Sequence, residues 1–398
     1  MTRATSAAPR RQIMTRALAL MFVASAGAGS SFYLLVSVVP LYAASEVGAG
    51  LATGALMLST VATELVTPRL VARFGYRRLL AAGLLLLGAP ALALPASAGL
   101  ATILAVCAVR GVGFAITVVV GGAQVALLLP RERRGEGLGL YGVVVGVPSV
   151  VSLPLGVWLV GRVGYPPVFV AGALVALAGL VAVRGLPGRE HAEPEQPLGV
   201  LAGLRTPALV RPAVVFSTTA MVAGVVVTFL PVAVGHASGS LAAVALLAQS
   251  TASTLTRWWA GRYGDRHGTA AGLLVPAALV AAAGVLALVL VANPVAAVTG
   301  MAVFGAGFGV AQNASLALML ERADASGFGT VSALWNLAYD AAWGVGAAGF
   351  GFLVAPVGYP AAFALTACVP LSALALASRE RRRAAGAAVT VASACLDS

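Results

Sequence analysis

Long apolar runs alternate with short polar turns along nearly the whole chain. An α-helix needs about twenty apolar residues to cross a bilayer, and twelve runs reach that length. They cover 17–42, 51–71, 77–95, 99–128, 137–161 and 165–186, then 209–234, 240–261, 269–291, 294–320, 327–354 and 359–378. The pattern predicts an all-α membrane protein with twelve transmembrane helices.

One long polar segment divides these runs into two sets of six. It covers residues 187–208 and is rich in Pro, Glu and Arg, as expected of a solvated cytoplasmic linker. We therefore expect one six-helix bundle over 17–186 and a second over 209–378. Residues 1–16 and 379–398 are predicted to be cytoplasmic tails. The first apolar run is too long for the apolar region of a signal peptide.

Composition and charge agree with a lipid-embedded chain. Hydrophobic residues make up 60% and charged residues 10%, whereas soluble domains carry about 25% charged residues. The net charge of +12 comes from arginines scattered between apolar runs, which argues against nucleic acid as a partner. Three distant cysteines indicate neither a disulfide framework nor a metal site.

The arginines predict an orientation. If the N-terminus is cytoplasmic, nearly all of the 25 basic residues fall in the tails or in turns on the same side, with Arg257 counted among the turn residues. Arg162 alone lies at an opposite turn. The positive-inside rule then predicts a multi-pass protein of the cell inner (plasma) membrane with both termini cytoplasmic.

Short motifs from the first half recur in the second half in the same order. The turn 68–78, PRLVARFGYRR, recurs as 261–268, GRYGDRHG, with Arg69 matching Arg262. Val163-Gly164-Tyr165-Pro166 recurs 194 residues later as Val357-Gly358-Tyr359-Pro360, and Gly111 and Gly113 recur as Gly305 and Gly307. Several ordered matches at a nearly constant offset indicate an internal repeat.

These motifs resemble the major facilitator superfamily, and the resemblance covers essentially the whole chain. It implies two pseudo-symmetric six-helix bundles, the MFS fold. The second turn matches the loop signature of the family at Gly261, Asp265, Arg266 and Gly268, whereas the first turn departs from it at Pro68 and Ala72. In the family this loop belongs to a charge network that latches one access state. The expected latch residues are Glu64, Arg69, Arg73, Gly75, Gly261, Asp265, Arg266 and Gly268.

Two further motifs are similar to those of proton-coupled drug and metabolite exporters. Arg110-Gly111-Val112-Gly113-Phe114 resembles their fourth-span motif, whose arginine is implicated in proton coupling. Gly142, Gly146 and Pro148 resemble a loosened form of their fifth-span antiporter motif. The resemblance also places spans five and eleven at the seam between the halves. Small residues permit close helix packing, which we expect at Gly142, Gly146, Gly344 and Gly346.

Three ionisable side chains are candidates for a charge in the membrane interior: Glu64, Arg110 and Asp340. A charge inside the bilayer is costly, so it normally faces protein or a wet cavity. Asp340, near the middle of its span, suits a proton carrier, and a hydrogen bond between helices is the structural alternative. Arg110 is expected to act in coupling or in a buried pair. Glu64 lies one turn before Pro68, which favours a latch or structural role.

The sequence therefore predicts a secondary active transporter that exports a small amphipathic compound, a drug or metabolite, in exchange for protons. A sugar or metabolite facilitator or importer and a non-transporting receptor are the alternatives. No catalytic constellation for an enzyme lies in the spans. We expect a monomer in the lipid bilayer, no nucleic acid partner, and no cofactor or metal beyond a proton gradient. The expected cavity residues are Tyr33, Gln124, Gln312, Asn313, Asn336 and Tyr339.

Overall fold

The computed structural model describes residues 15–43, 45–129, 134–186, 203–235, 239–267, 270–324 and 327–382. The predicted tails, 1–16 and 379–398, and the predicted linker, 187–208, fall mostly outside these ranges.

Seven α-helices form the first half of the described chain. They are α1 (Arg16–Val36), α2 (Val38–Tyr42), α3 (Glu46–Phe74), α4 (Tyr76–Gly88), α5 (Leu100–Leu128), α6 (Arg134–Val163) and α7 (Tyr165–Arg184). Ser37 alone separates α1 from α2, and α4 continues as a 3-10 helix over Ala89–Ala96. Helices suit a lipid environment because all their central backbone groups are hydrogen-bonded internally.

Five α-helices form the second half. They are α8 (Pro207–Val234), α9 (Gly239–His267), α10 (Leu274–Ala287), α11 (Pro294–Leu320) and α12 (Phe328–Ser372). Short 3-10 helices flank α10 at Ala271–Leu273 and Leu288–Leu290. Gly358 breaks the helical path within α12, with a φ of 74°, and helical backbone continues as far as residue 382.

Ten helical stretches among the described residues are long and apolar enough to cross a membrane. One of them, Phe328–Arg382, has 55 residues and contains the break at Gly358. α9 is not among the ten, because polar residues from Gln249 onward and the charged last turns lower its hydropathy. No strand occurs in the described ranges. The predicted all-α, multi-pass membrane class is confirmed. The described residues contain ten such stretches, so the predicted number of twelve transmembrane helices is not confirmed.

The internal repeat is visible in the backbone. Gly164 between α6 and α7 has a φ of 79°, and its counterpart Gly358 has a φ of 74°. Glycine adopts this left-handed region without the penalty that a Cβ imposes. After each turn an aromatic pair follows, with ring centroids 6.0 Å apart for Tyr165 and Phe169 and 6.2 Å apart in the second copy.

Helix packing repeats as well. A Cβ added to Gly113 on α5 would lie 2.3 Å from the backbone nitrogen of Leu87, at the end of α4. A Cβ added to Gly307 on α11 would lie 2.5 Å from the backbone nitrogen of Ala281 on α10. Both distances are too short for any side chain, so each half uses the same glycine for the same helix contact. The predicted repeat is confirmed.

The two halves pack together mainly through α3 against α12 and α6 against α9. We call the end of the bundle that carries Gly164 the Gly164 end, and the opposite one the Gly75 end. Two hydrogen bonds join the halves towards the Gly164 end. Ser37 Oγ donates to the carbonyl oxygen of Val227 at 2.8 Å, and the hydroxyl oxygens of Thr53 and Thr228 lie 3.1 Å apart.

Glycines allow a close approach along the α3–α12 seam. A Cβ on Gly50 would lie 2.6 Å from the carbonyl oxygen of Ala347, and one on Gly344 would lie 2.7 Å from Met57 Cβ. The seam is therefore closed around small residues between Glu46 and Met57. Spans five and eleven contribute α6 and the first part of α12, as the family resemblance implied.

A matched pair of glycines on α12 tests the packing of α12 against α8 within the second half. A Cβ on Gly346 would lie 2.1 Å from the carbonyl oxygen of Met221 on α8, whereas one on Gly349 would have no atom within 4 Å. We expect Gly346→Ala to lower the stability of the purified protein by about 1–3 kcal/mol through overpacking. Gly349→Ala should be neutral or slightly stabilising, because alanine favours helix by about 1 kcal/mol. Thermal unfolding in detergent measures both, and equal melting temperatures would contradict the packing.

Candidate functional site

A pair of carboxyl groups lies at the α3–α12 seam. Glu64 on α3 and Asp340 on α12 are within hydrogen-bonding reach of each other. Asp340 is only 5% exposed, and no N–H or O–H group of the described residues donates to either carboxylate oxygen of Glu64. Two carboxylates this close repel when both are ionised, whereas one shared proton creates a hydrogen bond between them. The pair can therefore join the two halves only in a protonated form.

This contact was not expected from the sequence, which placed Glu64 near the arginine turn and Asp340 alone near the middle of the bilayer. The difference has a simple structural reason. α3 continues to Phe74, beyond the predicted end at residue 71, so Glu64 lies deeper in the helix than its distance from Pro68 suggested.

Two tyrosines interact with Asp340, and both also interact with an arginine on α9. Tyr33 on α1 and Tyr339 on α12 each interact electrostatically with Asp340 and with Arg257 on α9. The cluster therefore draws on α1 and α3 from the first half and on α9 and α12 from the second. Tyr33 and Tyr339 are the two predicted cavity residues that the structure brings to this point.

Arg257 is the residue that sequence reasoning missed. It was counted among the turn arginines although it falls within the predicted span 240–261, and α9 (Gly239–His267) places it inside the helix. Its side chain is exposed, and it makes no hydrogen bond or ion pair within the described residues. The repeat offered a signal, because Arg257 follows Glu64 by 193 residues, as Arg262 follows Arg69.

Aromatic rings extend from Tyr339 into the second half. Phe216 on α8 stacks on Trp335 with centroids 4.5 Å apart and planes at 5°. Tyr339 lies 5.7 Å from Phe216 and 6.2 Å from Phe308 on α11. We call these four residues, Phe216, Phe308, Trp335 and Tyr339, the aromatic cluster. Phe216, Phe308 and Trp335 are buried, so the cluster is part of the core of the second half and fixes the position of Tyr339.

The family model of the Major Facilitator Superfamily matches residues 21–347. The chain belongs to this superfamily. An uncharacterized MFS-type transporter of Mycobacterium tuberculosis is 31% identical over 129 residues, which are 32% of this chain and 22% of that protein. An uncharacterized MFS-type transporter of Burkholderia mallei (strain SAVP1) is 34% identical over 73 residues, 18% of each chain. The chain thus matches about a fifth of the length of these curated relatives.

Solved transporter structures share the fold. The nucleoside transporter NupG aligns with a TM-score of 0.70 at 12% identity, over 91% of this chain and 99% of NupG. The peptide transporter POT in complex with sulfate aligns with a TM-score of 0.73 at 17% identity, over 94% of this chain and 96% of that one. The xylose transporter XylE from E. coli aligns with a TM-score of 0.69 at 14% identity, over 92% of this chain and 97% of XylE. The protein is accordingly a membrane protein of a transporter family, with the MFS fold, and not an enzyme.

The MFS loop residues expected to form a latch are only partly connected. Gly75 has a φ of 77° and its N–H caps α3 by donating to Val71, which makes the tight turn that the motif predicts. The charged members are exposed, and no ion pair joins them in the part of the chain that is described. These members are Arg69, Arg73, Asp265 and Arg266. Gly261 packs beside Asn313, and Gly268 lies outside the described residues.

The glycines of the antiporter-like motif do not make close contacts. A Cβ on Gly142 or Gly146 would have no atom within 4 Å, so the close approach expected there is not found. α6 instead makes its closest approach at Gly156, where an added Cβ would lie 2.1 Å from the carbonyl oxygen of Leu34. Pro148 is buried and packs against α1. The surface of α6 is therefore open beside Gly142 and Gly146.

Arg110, of the exporter-like motif, is buried away from the carboxyl pair. It is 2% exposed, and its guanidinium donates to the carbonyl oxygens of Leu87 at 2.9 Å and Ser31 at 3.3 Å. It makes no ion pair with a carboxylate among the described residues. Arg110 therefore ties α5 to α1 and to the end of α4 within the first half. The structure does not bring together the two residues expected to act in coupling, Arg110 and Asp340.

The remaining predicted cavity residues have other surroundings. Gln124 is 2% exposed, and its side-chain carbonyl has no donor among the described residues. Gln312 and Asn336 are half-buried. The Nδ2 atom of Asn313 lies 3.2 Å from the position that a Cβ on Gly261 would occupy. No hydrogen bond connects these four side chains to the carboxyl pair in the described chain.

Proposed function

We propose that this MFS protein is a secondary active transporter that exports a small amphipathic compound, a drug or metabolite, in exchange for protons. The observation that carries the proposal is the contact between Glu64 and Asp340 at the seam between the halves. A proton site located where two domains must separate links proton binding directly to the opening of that seam. The resemblance of Arg110 to Phe114 to the exporter motif supports the direction of transport.

The proposed architecture has twelve crossings, six in each half. α9 supplies one crossing, although its polar residues keep it out of the ten apolar stretches. Gly358 divides the 55-residue stretch into two further crossings. In the proposed orientation both termini are cytoplasmic and the Gly164 end faces outward. The hydrogen bonds of Ser37 and Thr53 to α8 then close the outer side of the bundle.

Alternating access follows from the two protonation states of the pair. With one shared proton, the hydrogen bond between Glu64 and Asp340 holds α3 against α12. Loss of that proton leaves two carboxylates that repel, which favours separation of the helices at this point. Tyr33 and Tyr339 supply hydroxyl groups near Asp340. Proton release to one side and uptake from the other would then drive the exchange of access states.

The test of this function is an accumulation screen in cells. Cells that express the protein should retain less of an exported dye or drug than cells with an empty vector, and a protonophore should abolish the difference. Cells that express the Asp340→Asn variant at the same level provide the matched control. Higher accumulation would indicate an importer or facilitator, and unchanged efflux with the protonophore would contradict proton coupling.

The orientation has its own test by cysteine labelling. Cysteines placed at Ser97 and Ser238 should react with a membrane-impermeant maleimide in intact cells, because both positions lie at the proposed outer side. A cysteine at Ala192, in the linker, should react only after permeabilisation. Ser238 and Ala192 are sequence positions outside the described residues. Labelling of Ala192 in intact cells would contradict the two-bundle arrangement.

A further inference from the structure

We propose that α4 and α7 form a binding site for an anionic phospholipid. Its phosphate binds between Arg78 and Arg184, and one of its acyl chains lies in the groove between the two helices. Both helices belong to the first half, so the lipid stays with that half when the seam opens. The proposal therefore depends neither on proton coupling nor on the identity of the solute.

Three arginines lie where α4 begins and α7 ends. Arg77 and Arg78 are in the first turn of α4, and Arg184 is in the last turn of α7. The guanidinium of Arg77 donates to the backbone carbonyl oxygen of Arg184 at 3.0 Å. A helix C-terminus favours such a contact, because its free carbonyl groups attract cations. This hydrogen bond brings the two helix ends within reach of a single lipid headgroup.

The charges of these arginines are not balanced by a carboxylate in the part of the chain that is described. Arg78 and Arg184 are exposed, and neither side chain has a hydrogen-bond or ion-pair partner among those residues. Like charges repel one another, so an anion between the guanidinium groups stabilises this arrangement. A phosphate suits the place, because arginine binds phosphate oxygens through paired N–H donors.

Exposed apolar side chains continue from the arginines towards the middle of the membrane. Leu85 follows Arg78 by seven residues, which puts both on one face of α4. On α7, Leu174 and Val181 are also seven residues apart, and Arg184 lies one turn further. Leu85, Leu174 and Val181 are 50%, 57% and 68% exposed. Each helix therefore presents an apolar face to the lipid that ends at an arginine.

Close packing of α4 on α7 forms the floor of the groove between these faces. A Cβ on Gly88 would lie 2.8 Å from the carbonyl oxygen of Ala173, and one on Gly179 would lie 3.2 Å from Leu84 Cδ1. The exposed side chains on the two helices form its sides.

The length of the groove fits one acyl chain. Leu174 precedes Arg184 by ten residues, which is about 15 Å along an α-helix. One leaflet contributes about half of the roughly 30 Å hydrocarbon core. A chain that starts at a phosphate beside the arginines therefore passes Val181 and ends near Leu174. A free phosphate ion makes no use of these apolar residues.

The internal repeat indicates that the fold does not need these arginines. At the offset of 194, Arg78 corresponds to Gly272 and Arg184 corresponds to Ser378. Arg379 follows Ser378, but α10 contributes no arginine opposite it. The first half therefore carries a charged pair at a place where the second copy of the same helices does without one.

The experiment compares two lipids with the same chains by native mass spectrometry of the purified full-length protein. Dioleoylphosphatidylglycerol is anionic, whereas dioleoylphosphatidylcholine has no net charge because its ammonium group cancels the phosphate. The wild type should bind one molecule of phosphatidylglycerol about tenfold or more tightly than phosphatidylcholine, as expected for two arginines at a membrane surface.

Variants assign this preference to the two arginines. Arg78→Gln/Arg184→Gln should lower the affinity for phosphatidylglycerol to that for phosphatidylcholine and leave the latter unchanged. The matched control is Arg262→Gln/Arg379→Gln, which removes two exposed arginines from the same end of the second half. Val181→Asn should weaken both lipids to a similar extent, because this residue contacts the chain and not the headgroup. Equal melting temperatures show that the variants are folded.

Single variants keep the test valid if the double variant does not fold. Arg78→Gln leaves the hydrogen bond from Arg77 to Arg184 in place, and it should lose part of the preference. Equal affinity of the wild type for both lipids would overturn the proposal. So would an equal loss in the control pair, which indicates a general effect of positive charge. Displacement of the lipid by inorganic phosphate would assign the arginines to a soluble anion and would also overturn it.

Discussion

Asp340→Asn should stop proton-driven transport while leaving exchange of solute across the membrane intact. The amide imitates the protonated acid in shape and charge and cannot lose a proton, so opening of the seam no longer follows the pH gradient and depends on solute binding alone. We expect net flux driven by a pH gradient to fall by roughly tenfold to a hundredfold, the range of a typical coupling free energy. Solute exchange at equal pH should remain near the wild-type rate. Flux measurements in proteoliposomes, with variants reconstituted in equal amounts, give both quantities.

Glu64→Gln tests whether the two carboxyl groups act as one unit. The structure places Glu64 against Asp340, so this variant should also impair coupling, whereas the sequence favoured a latch or structural role for Glu64. The double variant should lose no more proton-driven flux than Asp340→Asn alone, because the effects of substitutions at residues in direct contact are not additive. Glu46→Gln is the matched control, since Glu46 lies at the other end of α3. Normal proton coupling in Glu64→Gln would show that Glu64 and Asp340 do not act as one unit.

Arg110→Ala should abolish proton-driven transport in protein that still folds. The guanidinium holds the carbonyl oxygens of Leu87 and Ser31, and Ser31 precedes Tyr33 by only two positions on α1. We propose that Arg110 is a positioning residue that helps to set the place of Tyr33 near Asp340. Arg110→Lys keeps the charge but loses the planar fork, so it should retain part of the transport rate.

The control for Arg110 separates positioning from simple stability. We expect the apparent KM for the solute to stay near the wild-type value in Arg110→Lys while the maximal rate falls and its dependence on the pH gradient weakens. Melting temperature and the yield of monodisperse protein report folding. A variant that is less stable but transports normally per folded molecule would make Arg110 a structural residue only.

The fold was largely predictable because lipid imposes strong rules on sequence. Backbone groups must be hydrogen-bonded within the helix, so long apolar runs translate directly into helices. The motif around Gly164 and its copy around Gly358 predicted a repeat, because a left-handed turn needs glycine in both places. The turn at Gly75 was recognisable for the same reason.

The site was less predictable because it depends on which helix faces meet. Glu64 and Asp340 are far apart in sequence, and only the packing of α3 against α12 brings their carboxyl groups together. Errors of a few residues at helix ends mattered as well. α9 extends to His267, so Arg257, which was counted among the turn arginines, lies more than two turns from the end of the helix. Gly142 and Gly146 show the converse case, since a small residue permits close packing without requiring it.

Proton release by purified protein tests the central claim most directly. The compound identified by the accumulation screen is added to wild-type protein in weakly buffered detergent solution, and a pH indicator counts the protons released per molecule. The account predicts release by the wild type and by Glu46→Gln, and little or none by Asp340→Asn or Glu64→Gln. Release of the wild-type number of protons by both pair variants would contradict a shared proton between Glu64 and Asp340.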